Sequence, residues 1–403
     1  MHPFPDGCTA WRCSAKGTFA SREVVFSAEG FPSPLDTAPA AKLVAHLVDD
    51  VKPQLVVFTG DIVDGRPFGE GLPAIQSGTP MNRCMKNSKD SFELFAVAFM
   101  RVIEPLTRRH IPWCFCPGNH DDDGSPWTRD DLLQTFGLPG CATPAATGFN
   151  HTLTIGYGDH PDSQAVRLWI FDSGPNRAGI KYEPVGRDVV RDYELLSQSL
   201  PKACAELAFV HVPLPEYADA RIIVGTCALF EARICAGMLP WPWKHMPRLA
   251  RALGPRLGLD RAVGCSRLNT GLFAALARQR GVTALCCGHN HFNDFVGEHE
   301  GIFLCFGRVS GLSPPVTWEH DGGPLPFEAG GRVLQVKMGG SNRAGARVET
   351  WVQTPGSAKA QDRTRLDPAV HGPDVVAGLQ MPVRARWLPI LAGSALAVVS
   401  VGR

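Results

Sequence analysis

The stretch VTALCCGHNHF, Val282 to Phe292, decides how this chain reads. A mostly apolar run enters Gly288, and His289 and His291 follow at once. Side chains two apart on an extended backbone face the same side, so a His-x-His leaving a strand can aim both imidazoles at one place. A glycine just before them lets the backbone turn closely beneath a bound ion. Two loop histidines beside a core strand would read the same way. The rest of the chain must therefore supply the other ligands.

Other strand-like runs end in the same manner. PQLVVFTGD delivers Asp61, with Asp64 three residues on. CFCPGNHD delivers Asn119, His120 and Asp121, and ELAFVH delivers His211. In layered α/β sheets, ligands gather beyond the carboxyl ends of the strands. A carboxylate, an amide oxygen and several imidazoles are thus expected along one edge. That mixed set suits Fe, Mn or Zn better than Ca or Mg, which prefer oxygen throughout. Each residue alone has a plainer role: a helix cap for Asp61, a turn for Asn119, a satisfied core histidine for His211. Four such coincidences at four strand ends favour the metal.

Helical patterns alternate with these strands. Apolar residues recur at Leu43, Val44, Leu47 and Val48, and again at Phe92, Phe95, Phe99, Val102, Ile103 and Leu106. DVVRDYELLSQSL and TGLFAALARQRG read as further helices, and GIFLCFG, RVLQVKM and ARVETWV as later strands. The alternation predicts a layered α/β fold, with mainly parallel pairing in its first half. Asp172 and Arg308 also fall at strand ends, where each could touch a substrate or serve as a turn cap or surface cation.

A chain of 403 residues with net charge +1 carries no global field for a polyanion, so nucleic acid is a disfavoured partner. Thirteen scattered cysteines are no disulfide framework. Cys114, Cys116, Cys286, Cys287 and Cys305 lie in apolar runs and read as buried thiols. Residues 353–386 are polar, without periodicity, and read as a linker or disordered tail. The apolar segment 387–403 is shorter than a bilayer span. It reads as a short membrane contact, the remnant of a longer segment or a surface helix. The expected location is thus cytoplasmic or membrane-associated.

In their order, GDIVD, GNHD, a strand-end His and GHNH resemble the calcineurin-like metallophosphoesterases, over residues 1 to about 352. HVPLPEY, SRLNTGLFAAL and GHNHFNDFVG are similar to its purple-acid-phosphatase-like branch. The resemblance implies a β-sandwich flanked by helices, with a di-metal site at the strand C-terminal ends. It implies that Asp61 bridges two metals, that Asn119, His211 and His289 complete one site, and that His291 belongs to the other. His120 would assist the leaving group with Asp121 orienting it, while hydroxide activated by the metals attacks phosphorus. The substrate would be a phosphorylated small molecule or a phosphoprotein. Asp64 stands where purple enzymes carry a tyrosine, so no tyrosinate–iron colour is expected.

The family opens on an Asp-x-His strand that this chain does not show before Asp61. Met1-His2 is similar to the last two residues of an Asp-Met-His, which would make His2 a ligand and put the aspartate upstream. The alternative, of another class, is a degenerate protein that binds phosphate without hydrolysing it.

Overall fold

The computed structural model describes residues 9–11, 23–25, 38–65, 88–143, 148–156, 165–175, 182–225, 263–291, 293–310, 328–337, 346–357, 360–370 and 396–402. His2 and residues 66–87 and 226–262 lie outside the described residues.

Two sheets stack with helices on their outer faces. One holds β1 (Thr9–Trp11), β5 (His151–Gly156), β6 (Ala165–Ile170), β7 (Ala205–Val210), β9 (Val282–Cys287), β11 (Ile302–Phe306), β10 (Val296–His299) and β8 (Arg221–Val224), in that order. The other holds β14 (Gln361–Arg365), β13 (Arg347–Gln353), β12 (Gly331–Lys337), β15 (Leu396–Gly402) and β3 (Pro53–Phe58). There β4 (Trp113–Phe115) pairs with β3, and β2 (Glu23–Val25) pairs with β3 and β12. Parallel pairs β3–β4, β6–β7, β7–β9 and β9–β11 carry the strands whose ends matter below.

The period-two geometry of a strand explains the layering. In β7, Leu207 and Phe209 face the core between the sheets, while Ala208 and Val210 face the outer core. In β9, Ala284 and Cys286 point inward, and Leu285 and Cys287 outward. Both faces are covered, so these strands read as continuous apolar runs. The helices supply the covers. On α1 (Ala38–Val51), Leu43, Val44, Leu47, Val48 and Val51 are buried at helical spacing, and on α2 (Ser88–Arg108) Phe92, Phe95, Phe99 and Leu106 are. The outer core packs on Val189, Val190 and Tyr193 of α3 (Arg187–Ser199) and on Leu272, Phe273 and Leu276 of α4 (Leu272–Gln279). Phe99 has ring neighbours Phe58, Phe95, Trp113 and Phe115 at 5.4–6.3 Å. Truncating it to alanine should cost about 3–5 kcal/mol.

The cysteines expected to be buried are buried thiols. Two expectations need correcting. Gln361–Arg365, read as linker, is a strand paired with β13 at the edge of its sheet, where polar side chains can stay in water. The C-terminal segment is not supported as a membrane contact. Among the described residues no helix is long and apolar enough to cross a membrane, and Leu396–Gly402 is a strand parallel to β12 and antiparallel to β3. Its β-branched valines Val398, Val399 and Val401 suit that role.

Candidate metal centre

Asp61, Asn119, His211 and His289 follow β3, β4, β7 and β9, so each sheet sends two of them to the same end of the sandwich. The loops after β3 and β4 cross closely. A side chain on Gly60 would meet the Gly118 backbone nitrogen at 2.3 Å, and one on Gly118 would meet Asp61 Oδ1 at 2.0 Å. Gly60 also has φ +97°, a region costly for residues with a Cβ. Both glycines are therefore required by the approach of the two loops.

Asp121 fastens that crossing. Its Oδ2 accepts from the backbone N–H of Asp61 and of Gly118, each at 2.7 Å, and its Oδ1 accepts from Ile62 N–H at 2.9 Å. In return, His120 N–H donates to Asp61 Oδ1 at 2.6 Å. Burial and the charge of Asp61 push the Asp121 carboxyl up to about 7, against the pull of these amides. Burial also raises Asp61, but the neighbouring His211 and His120 carry it well below the usual carboxylate range. Asp121 was expected to orient the His120 ring. Its oxygens are instead directed at the backbone of both loops, and the carboxylate facing the ring is Asp123, with Oδ2 3.4 Å from His120 Nδ1.

The donor atoms of both sheets converge. His211 Nδ1 donates to the Thr59 carbonyl at 2.6 Å, so in the neutral ring Nε2 presents a lone pair. Asn119 Oδ1 stands 2.9 Å from that nitrogen and Asp61 Oδ2 3.3 Å from it, and both oxygens are acceptors. His289 Nδ1 lies 3.2 Å away, a single proton at most for three acceptors. Asp61 Oδ2, Asn119 Nδ2 and His289 Nε2 have no hydrogen-bond partner among the described residues. Asp61 and His211 are fully buried. Buried acceptors facing one another repel unless a cation lies between them. The ligand atoms of Asp61, His211 and His289 all fall within 4.8 Å of one another, a span one ion can bridge. Burial holds the His289 imidazole well below its ordinary pKa, with His211 adding to it, so this ring stays neutral and able to ligate.

His291 is buried and lies in the field of His289, but the three-residue group that fits an ion does not include it. Tyr182, outside the sequence reading, packs edge-on against the His289 ring at 4.2 Å. Its φ of +61° in a residue with a Cβ marks a backbone held in place. Asp172 and Arg308 are occupied elsewhere. Asp172 Oδ1 accepts from Gly174 N–H at 2.8 Å, and Arg308 Nε donates to Asp294 Oδ2 at 2.7 Å inside the core. Arg308 is therefore neither a surface cation nor a phosphate contact. The Asp172 bond is the turn cap its position allows, whereas the Arg308–Asp294 pair joins residues 14 apart and shows only in the folded chain.

A helix-flanked sandwich with a buried O/N donor set at its strand ends defines a metallophosphoesterase. The calcineurin-like phosphoesterase family model matches residues 37–293, and the chain belongs to that family. It is 26% identical over 339 residues to "Probable inactive purple acid phosphatase 29" of Arabidopsis thaliana, covering 76% of this chain and 72% of that one. It is 24% identical over 345 residues to "Phosphatase DCR2" of Saccharomyces cerevisiae, covering 78% of this chain. The chain spans about half the length of that yeast relative, 48%. "Probable inactive purple acid phosphatase 28" of Arabidopsis thaliana is 23% identical over 79% of this chain.

Proposed function

We propose that this protein is a metal-dependent phosphoester hydrolase acting on phosphorylated small molecules or phosphoproteins. The observation that carries the reading is the convergence of Asn119 Oδ1 and Asp61 Oδ2 on Nε2 of His211. Asp61, Asn119, His211 and His289 would hold an ion of Fe, Mn or Zn, and His291, with His2, would contribute to a second. Such an ion supplies Lewis acidity, drawing charge from a phosphoryl oxygen and easing deprotonation of water.

The chain's own residues do the rest. Asp61 carries negative charge at neutral pH, which complements a bound cation. The Thr59 carbonyl fixes the tautomer of His211, as outer hydrogen bonds do for ligating histidines. His120, held by its own N–H on Asp61 Oδ1, offers a ring proton to the departing alkoxide. Asp123 steadies the protonated ring. Burial of the donor atoms keeps bulk water from screening these charges.

The second reading is a phosphate-binding protein without turnover, favoured by the word "inactive" in the names of the Arabidopsis relatives. Chelator-treated protein, reloaded with Mn²⁺, Fe²⁺ or Zn²⁺, should hydrolyse p-nitrophenyl phosphate, and the His211→Ala variant should not. Metal uptake and phosphate binding with no turnover on monoesters or diesters would establish the second reading instead.

A further inference from the structure

The residue that the reaction above does not use, and that the sequence does not single out, is Arg129. Its side chain is 9% exposed, an unusual setting for a guanidinium. It stands at the N-cap of the short 3-10 helix Asp130–Gly137, with no capping bond of its own there. Its Nη1 donates to the Gly118 carbonyl at 2.6 Å and lies 3.4 Å from Asp122 Oδ1. Its Nη2 is 3.8 Å from Asp172 Oδ1, just beyond β6. The Gly118 N–H is already taken by Asp121. Both polar groups of Gly118 are thus captured, one by a carboxylate and one by a guanidinium, immediately before Asn119.

We propose that Arg129 is a positioning residue for the metal centre: by clamping the Gly118 carbonyl it fixes the peptide that carries Asn119, and so sets where Asn119 Oδ1 meets His211. The assignment rests on the metal-centre reading of Asn119. Arg129 also ties two loops together, through Gly118 and Asp122 after β4 and Asp172 after β6. Burial opposes its charge, but Asp172, Asp122, Asp121 and Asp61 together hold the guanidinium ionised.

Two effects of Arg129 on a cation have opposite signs. Its positive charge repels a neighbouring ion, whereas its clamp presents a ligand to that ion. Loss of charge alone would tighten metal binding; loss of the clamp would weaken it. Outer-shell partners of metal ligands typically matter 10- to 100-fold in metal affinity, which favours the clamp.

The test is calorimetric titration of the chelator-treated full chain with Mn²⁺ or Zn²⁺ alone. Arg129→Met should lose about 10- to 100-fold in affinity, and Arg129→Lys should lose nearly as much, because lysine keeps the charge without the planar fork. In an Asn119→Ala background, Arg129→Lys should cause little further loss, since the two residues act as one unit. Should Arg129→Met fail to fold, the lysine variant and the double variant still decide. Unchanged or tighter binding in both Arg129 variants would overturn the assignment, as would fully additive losses with Asn119→Ala. A wild-type chain that takes up no metal would overturn the metal-centre reading and this one with it. Wild-type uptake with unaltered variants overturns this one alone.

Discussion

Two buried histidines, His151 and His211, look alike in the sequence and differ in what surrounds them. His151 Nδ1 faces the carbonyls of Gly148 and Phe149, each at 3.1 Å, and its Nε2 lies 3.0 Å from the Thr143 hydroxyl. A hydroxyl can donate, so both ring nitrogens are matched and the residue is a finished piece of core. His211 also spends Nδ1 on a carbonyl, but its Nε2 faces an amide oxygen and a carboxylate oxygen. Burial alone therefore says nothing about ligation. The donor or acceptor character of the partners decides it.

The largest expected effect separates the pair directly. His211→Ala should lower affinity for Mn²⁺ or Zn²⁺ by at least about 100-fold, roughly 2.7 kcal/mol, while His151→Ala leaves it within about twofold. Calorimetry on metal-free protein measures both. Comparable losses in the two variants would erase the distinction.

The next effect concerns the carboxylate that binds backbone. Asp121→Ala leaves buried amides of Asp61, Ile62 and Gly118 without their acceptor. Urea unfolding of the metal-free chain should show a loss of about 2 kcal/mol. A normal unfolding curve with depressed turnover would return Asp121 to the role of orienting His120.

Acid sharpens the contrast from the His151 side. Burial depresses its pKa from 6.5 to about 4. Between those values the unfolded chain binds a proton there and the folded chain does not, so stability falls as pH falls. The slope is up to about 1.4 kcal/mol per pH unit. His151→Gln should flatten that limb in denaturant titrations from pH 7 to pH 5; an unaltered slope would mean that His151 is already protonated in the fold.

The smallest effect is at Asp123. Asp123→Asn should reduce kcat by less than about tenfold, well below the 10²–10⁴ of a general acid itself. The loss should be greater for alkyl than for nitrophenyl phosphates, with metal affinity untouched. A uniform loss across leaving groups would detach Asp123 from His120.

Much of this was legible from strand ends. Asp61, Asn119, His211 and His289 each follow an apolar run, and period-two burial in β7 and β9 brings those runs to one edge. What the sequence hid depends on direction rather than position. GNHDDD offers three consecutive acids, and only the turn of the loop decides that Asp121 binds backbone while Asp123 reaches the ring. Arg129 sits in a polar stretch with no pattern of burial, and Tyr182 meets His289 only across the fold. Leu396–Gly402 was misread because a short, mostly apolar run suits a strand as well as part of an anchor, and length alone favours the strand.

The Thr59–His211 bond joins positions 152 residues apart, and the Asn119–His211 contact positions 92 apart. Neither sheet holds the donor set by itself. During folding, contacts of such separation close late, after the chain has lost most of its freedom. The cradle is complete only once both sheets have docked, so uptake of an ion would report, in a refolding experiment, the moment of that docking.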